Sequence, residues 1–177
     1  MKKFELTSEF ITNIFGTKLF RIKALIEFGN VKAGELGGFV EKEENLNHEG
    51  NAWVYGNAEV YGNARVYGNA SVYGDARVCG DARVYGNAWV YGNARVCGDA
   101  RVYGNADYAT VHGFGSEYRT TTFFKTKAGE IGVRCGCFYG NLSEFRKKVV
   151  ETHGETKKAK EYLMLADLME FRFSDNS

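Results

Sequence analysis

Val54-Tyr-Gly-Asn-Ala-Glu59, Val60-Tyr-Gly-Asn-Ala-Arg65 and seven further copies, ending at Val102-Tyr-Gly-Asn-Ala-Asp107, repeat one six-residue phrase without interruption. An aliphatic residue at position one and a small residue at position five, at a fixed period of six, predict a β-helix of short parallel strands. Position one is always Val and position five always Ala. These suit the interior of a narrow tube, which holds one branched side chain and one methyl group per face, and β-branched Val favours extended backbone. Positions three and four are Gly-Asn or Gly-Asp, the residues that tolerate positive φ at corners. No Pro occurs in the 177 residues, in keeping with a backbone whose N–H groups feed a continuous ladder.

Three hexads make one triangular coil, so residues 18 apart stack roughly 4.8 Å from each other. Nine hexads predict three coils of a left-handed parallel β-helix with three outward faces. The first carries Tyr55, Tyr73 and Tyr91 beside Trp53, Ser71 and Trp89. The second carries Tyr61, Cys79 and Cys97 beside Glu59, Arg77 and Arg95. The third carries Tyr67, Tyr85 and Tyr103 beside Arg65, Arg83 and Arg101. Two outward Trp and three Tyr exceed an ordinary surface patch, and the face requires cover from a terminal segment of the chain or from another molecule. The arginine column places like charges one rung apart, and Asp81 and Asp99 are expected to offset part of that repulsion.

Net charge is +1, and the repeat balances five Arg against five acids. That excludes a strongly basic nucleic-acid binder and an acidic mimic. The first residues, Met1-Lys-Lys-Phe-Glu-Leu-Thr, break into charge at once, and no apolar run reaches membrane length. With no secretory signal, four Cys predict free thiols in a reducing cytoplasm. Cys79 and Cys97, 18 apart, raise a metal-site or redox-pair reading; Cys135-Gly-Cys137, on a strand, puts both sulfurs on one face. No His joins the first pair and no further pair stands at ligand spacing from the second, so the sequence assigns no metal and no cofactor.

The flanks divide the chain into an N-terminal β cap (1–45), the β-helix (46–113) and a C-terminal α+β module (114–177). Two strands turn at Phe15-Gly16, and the glycine-rich run from Phe28 to Glu41 reads as turns and a short strand. Its spacing matches neither common nucleotide motif. After the repeat, the stretches 118–126 and 131–139 predict a β-hairpin turning at Ala128-Gly129, followed by two helices. Ser143 is expected to cap the first, with Phe145, Val149 and Val150 inward, and His153-Gly154 to end it. Thr156 is expected to cap the second, with Tyr162, Leu163, Leu165, Ala166, Leu168 and Met169 inward. Arg146, Lys147 and Lys148, with Lys157, Lys158 and Lys160, form a basic cluster at the helix junction.

The run from Phe28 to Glu41, followed by Asn45-Leu-Asn-His-Glu-Gly-Asn-Ala-Trp-Val-Tyr55, resembles the opening of YdcK-like hexapeptide-repeat proteins. The stretch Thr120-Thr-Thr-Phe-Phe-Lys-Thr-Lys127, with Arg134-Cys-Gly-Cys-Phe138 and Glu151-Thr-His-Gly154, looks like a module often joined to such repeats in phage and prophage proteins. The resemblance implies a left-handed β-helix and a phage accessory role. It brings no residue roles.

Three functions compete. A binding or scaffold module would engage a host macromolecule, such as a defence component, through Trp53, Tyr55, Tyr73, Trp89 and Tyr91, the Arg65, Arg83 and Arg101 column, or the Arg146, Lys147 and Lys148 cluster. A hexapeptide-type acyltransferase would place a His and a cofactor between subunits, yet the nine repeats hold neither a His nor a loop insertion. A third reading is capture of a small ligand such as a nucleotide by the Arg and Tyr columns. The sequence favours the binding module, with a protein partner rather than nucleic acid, no membrane, and a homo-oligomer, a trimer by preference.

Overall fold

The computed structural model describes residues 1–115 and 117–174. It comprises two compact units, Met1–Asn105 and Ala106–Ser177. Nine two-residue rungs follow the three N-terminal strands β1 (Phe4–Thr12), β2 (Lys18–Ala24) and β3 (Leu36–Val40). They are β4 (Trp53–Val54), β5 (Glu59–Val60), β6 (Arg65–Val66), β7 (Ser71–Val72), β8 (Arg77–Val78), β9 (Arg83–Val84), β10 (Trp89–Val90), β11 (Arg95–Val96) and β12 (Arg101–Val102). Parallel pairing joins residues 18 apart: Val54 to Val72 to Val90, Val60 to Val78 to Val96, and Val66 to Val84 to Val102. Every Val and Ala from Ala52 to Val102 at the inward positions is wholly buried. The corners turn at glycine; Gly80, for example, sits at φ +68° with the Gly98 backbone one rung away, where a Cβ would be strained and crowded.

The solenoid has about four turns rather than three. Val40 pairs with Val60 and Leu46 with Val66, both in parallel. The segment read as a cap through residue 45 therefore supplies an extra partial turn. Its offset is 20 residues instead of 18, and the two additional residues fall between Leu46 and Val54. Two buried side chains satisfy carbonyls along this irregular first turn, as buried backbone groups require. Asn45 Nδ2 donates to the carbonyls of Gly62 and Ala64 at 3.1 and 2.9 Å. Lys3, 1 % exposed, donates from Nζ to the carbonyls of Gly50 and Ala52 at 3.3 and 2.8 Å and lies over the Phe28 ring. Burial lowers its pKa to about 8.

β1 and β2 form the expected hairpin, turning at Gly16, and β2 pairs antiparallel with β3, so one six-stranded sheet runs from the hairpin into the solenoid. The passage of β3 across the first turn leaves no room for side chains. A Cβ on Gly37 would stand 2.6 Å from Ile22 Cγ1 and 2.8 Å from Trp53 Cζ2, so the glycine-rich run serves close backbone approach.

The second unit is a four-stranded antiparallel sheet of β13 (Tyr108–Phe114), β14 (Arg119–Lys125), β15 (Ile131–Cys135) and β16 (Phe138–Asn141), with helices α1 (Leu142–His153) and α2 (Lys157–Phe173). The predicted hairpin is its central pair. Asn141, not Ser143, caps α1: its Oδ1 accepts from the Glu144 N–H, and the Glu144 carboxylate accepts from the Asn141 N–H in return. The reciprocal box satisfies two end donors, more than a lone serine hydroxyl offers. Thr156 caps α2, and Gly154 ends α1 at φ +58°. Phe145, Val149, Tyr162, Leu165, Ala166 and Met169 are buried against Phe123 and Val133. Val150 and Leu168, predicted inward, are exposed, because the buried stripe runs through Leu142, Phe145 and Val149 on α1 and through Tyr162, Leu165, Ala166, Met169 and Phe173 on α2. No described helix is long and apolar enough to cross a membrane.

Candidate binding faces of the solenoid

The third face places Arg65, Arg83 and Arg101 in register. Beside them the Tyr67 and Tyr85 rings stack nearly parallel at 5.0 Å, and Tyr103 meets Tyr85 edge-on at 5.0 Å. The arginines are not equivalent. Arg101 donates to the backbone carbonyls of Asp81, Asp99 and Ala100 at 2.9–3.1 Å. Asp81, expected to offset Arg83, forms no ion pair with it; its carboxylate accepts instead from Asn63 Nδ2, 18 residues back. Among the described residues, the side chains of Arg65 and Arg83 have no hydrogen bond or ion pair. On the second face, by contrast, Arg77 meets Glu59 at 3.4 Å and Arg95 is likewise engaged.

Arg65 and Arg83 form one wall of a groove of about 650 Å³, with Tyr67 beside them and Glu43, Glu44 and His48 also lining it. His48 sits in the irregular corner that the two additional residues create. Its Nδ1 accepts from the Lys3 N–H at 3.1 Å, and Nε2 contacts Glu43 Oε1 at 2.7 Å. That pattern assigns the proton to Nε2, which donates to the carboxylate. The ring also stacks on Phe4 at 4.3 Å, so this histidine braces the groove. Partial burial pushes the Glu43 carboxyl up, but hydrogen bonds from His48 and Lys2 outweigh it and hold the group below its usual range.

The first face splits in two. Trp53 is wholly buried, whereas Trp89 and Tyr91, both two coils on, are each 53 % exposed. Trp53 is therefore not part of an outward patch: Phe4 and Phe28 meet its ring edge-on at 6.1 and 5.3 Å, and β3 crosses it at Gly37. The hairpin that encloses it is held by Arg21, which pairs with Glu9 at 2.9 Å, donates to the Gly37 carbonyl and lies over the Phe39 ring. Farther along, Tyr73 is half-buried, stacks on Tyr91 at 5.5 Å and meets Trp89 edge-on at 6.5 Å. Tyr55 continues the column, edge-on to Tyr73.

Cys79 and Cys97 are joined by a disulfide between adjacent rungs, their Cα atoms 4.6 Å apart, a separation that disulfides span. Four free thiols were expected; Cys135 and Cys137 are the two among the described residues, and the bonded pair is no metal ligand. Nor do Cys135 and Cys137 share a strand face. β15 ends at Cys135, which pairs with Phe138 across a turn of Gly136 and Cys137. Cys137 is exposed there, while Cys135 Sγ accepts from Thr121 Oγ1 and lies 3.9 Å from the Tyr162 hydroxyl. These two residues, with Arg119, Lys148, His153 and Tyr162, line a cavity of about 250 Å³. Burial, reinforced by Cys135, pushes the Tyr162 phenol up to about 12. The basic cluster loses a member: Arg146 bonds Asp167 and Glu170, each at 2.8 Å, and ties α1 to α2. Lys147 and Lys148 are exposed. Among the described residues, no three His, Cys, Asp or Glu side chains gather as metal ligands.

The family model described as the YdcK β-solenoid repeat matches residues 58–74, 76–92 and 94–106, all within the repeat. No curated protein matches the chain.

Proposed function

We propose that this chain, a YdcK-like β-solenoid protein, is a non-catalytic binding module whose Trp89, Tyr91 and Tyr73 platform engages a protein partner. The observation that carries this reading is the exposure of Trp89 and Tyr91 on a solenoid rung whose earlier equivalent, Trp53, the chain buries for itself. Large rigid aromatics on a fixed ladder lose little conformational freedom on binding, and Trp and Tyr dominate the energetics of protein interfaces. The likeness of residues 120–138 to a module found in phage and prophage proteins supports a host protein, such as a defence component, as that partner. Burial of Trp53 withdraws one of the two tryptophans from the face that called for a trimer, so a protein partner ranks above a second copy.

Native mass spectrometry of protein purified from its natural host tests the proposal against a Trp89→Glu variant. The wild type is expected to carry an added protein mass that the variant loses, since one central interface Trp contributes about 2 kcal/mol or more. An unchanged complex in the variant, or a bare monomer in both, would overturn it. A homotrimer that Trp89→Glu dissolves would make the partner a second copy.

A further inference from the structure

We infer that the groove between Arg65, Arg83, Tyr67 and the 43–48 segment is a binding site for a small phosphate-bearing ligand of nucleotide type. Five arginines lie on the solenoid rungs. Of the five in the solenoid, Arg77, Arg95 and Arg101 are engaged within the chain. The other two, Arg65 and Arg83, occupy register-paired positions on adjacent parallel strands, roughly one ladder spacing of 4.8 Å apart. They have no partner among the described residues, and both line the same groove. Two guanidinium groups carried on adjacent rungs repel one another, and one phosphate group, whose oxygens accept from both, relieves that repulsion.

The rest of the wall restricts the class further. Tyr67, stacked on Tyr85, adds an aromatic column beside the cations, a surface on which a planar base packs. The carboxylate of Glu43 is fixed by His48 and Lys2, and Glu44 lines the groove beside it. An acidic lining disfavours a ligand that is anionic throughout and suits one with hydroxyl or amino donors at the end away from its phosphates, as a nucleoside phosphate has. A volume of about 650 Å³ lies within the range of small-molecule sites. The groove also has a rigid frame, because Asn45 donates to the Ala64 carbonyl and His48 accepts from the Lys3 N–H, which ties the irregular corner to the adjoining backbone.

Isothermal titration of the full chain with ADP, inorganic pyrophosphate and adenosine separates the components. ADP is expected to bind most tightly, pyrophosphate more weakly, and adenosine least. The Arg65→Ala/Arg83→Ala variant should weaken ADP by at least about tenfold, the effect of losing charge-assisted hydrogen bonds. Both side chains are exposed, and an unchanged melting temperature will show that the fold is intact. Tyr67→Leu should weaken ADP while leaving pyrophosphate within about twofold, since stacking acts on the base alone. Absence of ADP binding, or equal affinity in the double variant, would overturn the site. ADP no tighter than pyrophosphate would overturn the nucleotide assignment, as would a single-stranded oligonucleotide that binds more tightly than ADP.

Discussion

Val78→Asp is expected to abolish folding of the first unit. Val78 lies in the middle of the tube, wholly buried, in register with Val60 below and Val96 above. Only Val and Ala side chains face the interior along these coils, so an aspartate there meets no donor. Even as the neutral acid, an unsatisfied buried carboxyl costs on the order of 2–7 kcal/mol, and lost packing of the valine adds to it. The total approaches the whole stability of an ordinary domain, about 5–15 kcal/mol. Circular dichroism of the variant should show no cooperative melting of the solenoid, or the protein should be recovered only as aggregate. A soluble variant that melts as the wild type does would mean that the inward register is misassigned.

Trp53→Ala is expected to cost about 3–5 kcal/mol, the usual effect of deleting a large buried aromatic. The side chain joins the N-terminal hairpin to the first complete coil through Phe4, Phe28 and the backbone of β3, so the loss affects both elements. For a unit of this size the melting temperature should fall by at least about 10 °C. Trp89→Ala, at an exposed position on the same column, should change stability by no more than about 1 kcal/mol. Trp53 Nε1 is buried with no hydrogen-bond partner. Trp53→Phe therefore sacrifices no polar contact and should cost much less than the alanine change. Differential scanning calorimetry of the three variants checks the order.

The contrast between the tryptophans shows where sequence reading reaches its limit. The period of six identified the inward Val and Ala positions, the glycine corners and the 18-residue stacking, because each hexad restates the same local requirement. Whether an outward residue stays exposed depends on segments distant in the chain. Trp53 and Trp89 occupy the same repeat position, and only the path of Phe4, Phe28 and Gly37 distinguishes them. The extra partial turn was hidden for a related reason. Val40 and Leu46 keep the spacing of six but lack the Tyr-Gly-Asn-Ala markers, and the two additional residues before Val54 break the phase. Aligned charges suggested relief of Arg83 by Asp81, whereas the ladder gave that carboxylate to Asn63 and left Arg83 in the groove. The groove was half legible: its Arg and Tyr columns are repeat positions, but the Glu43–His48 wall belongs to the irregular corner. Lys3 carried no signal at all, since nothing local marks a lysine whose carbonyl partners lie 47 and 49 residues away.

One tryptophan column is closed by the chain itself at Trp53 and presented to solvent at Trp89. Acrylamide quenching of Trp53→Phe and Trp89→Phe, each retaining a single tryptophan, tests it directly. Trp53→Phe, which retains Trp89, should quench readily and emit at long wavelength. Trp89→Phe, which retains Trp53, should resist quenching and emit to the blue. Equal quenching of the two variants, or the reverse order, would contradict the account of which solenoid face is available for binding.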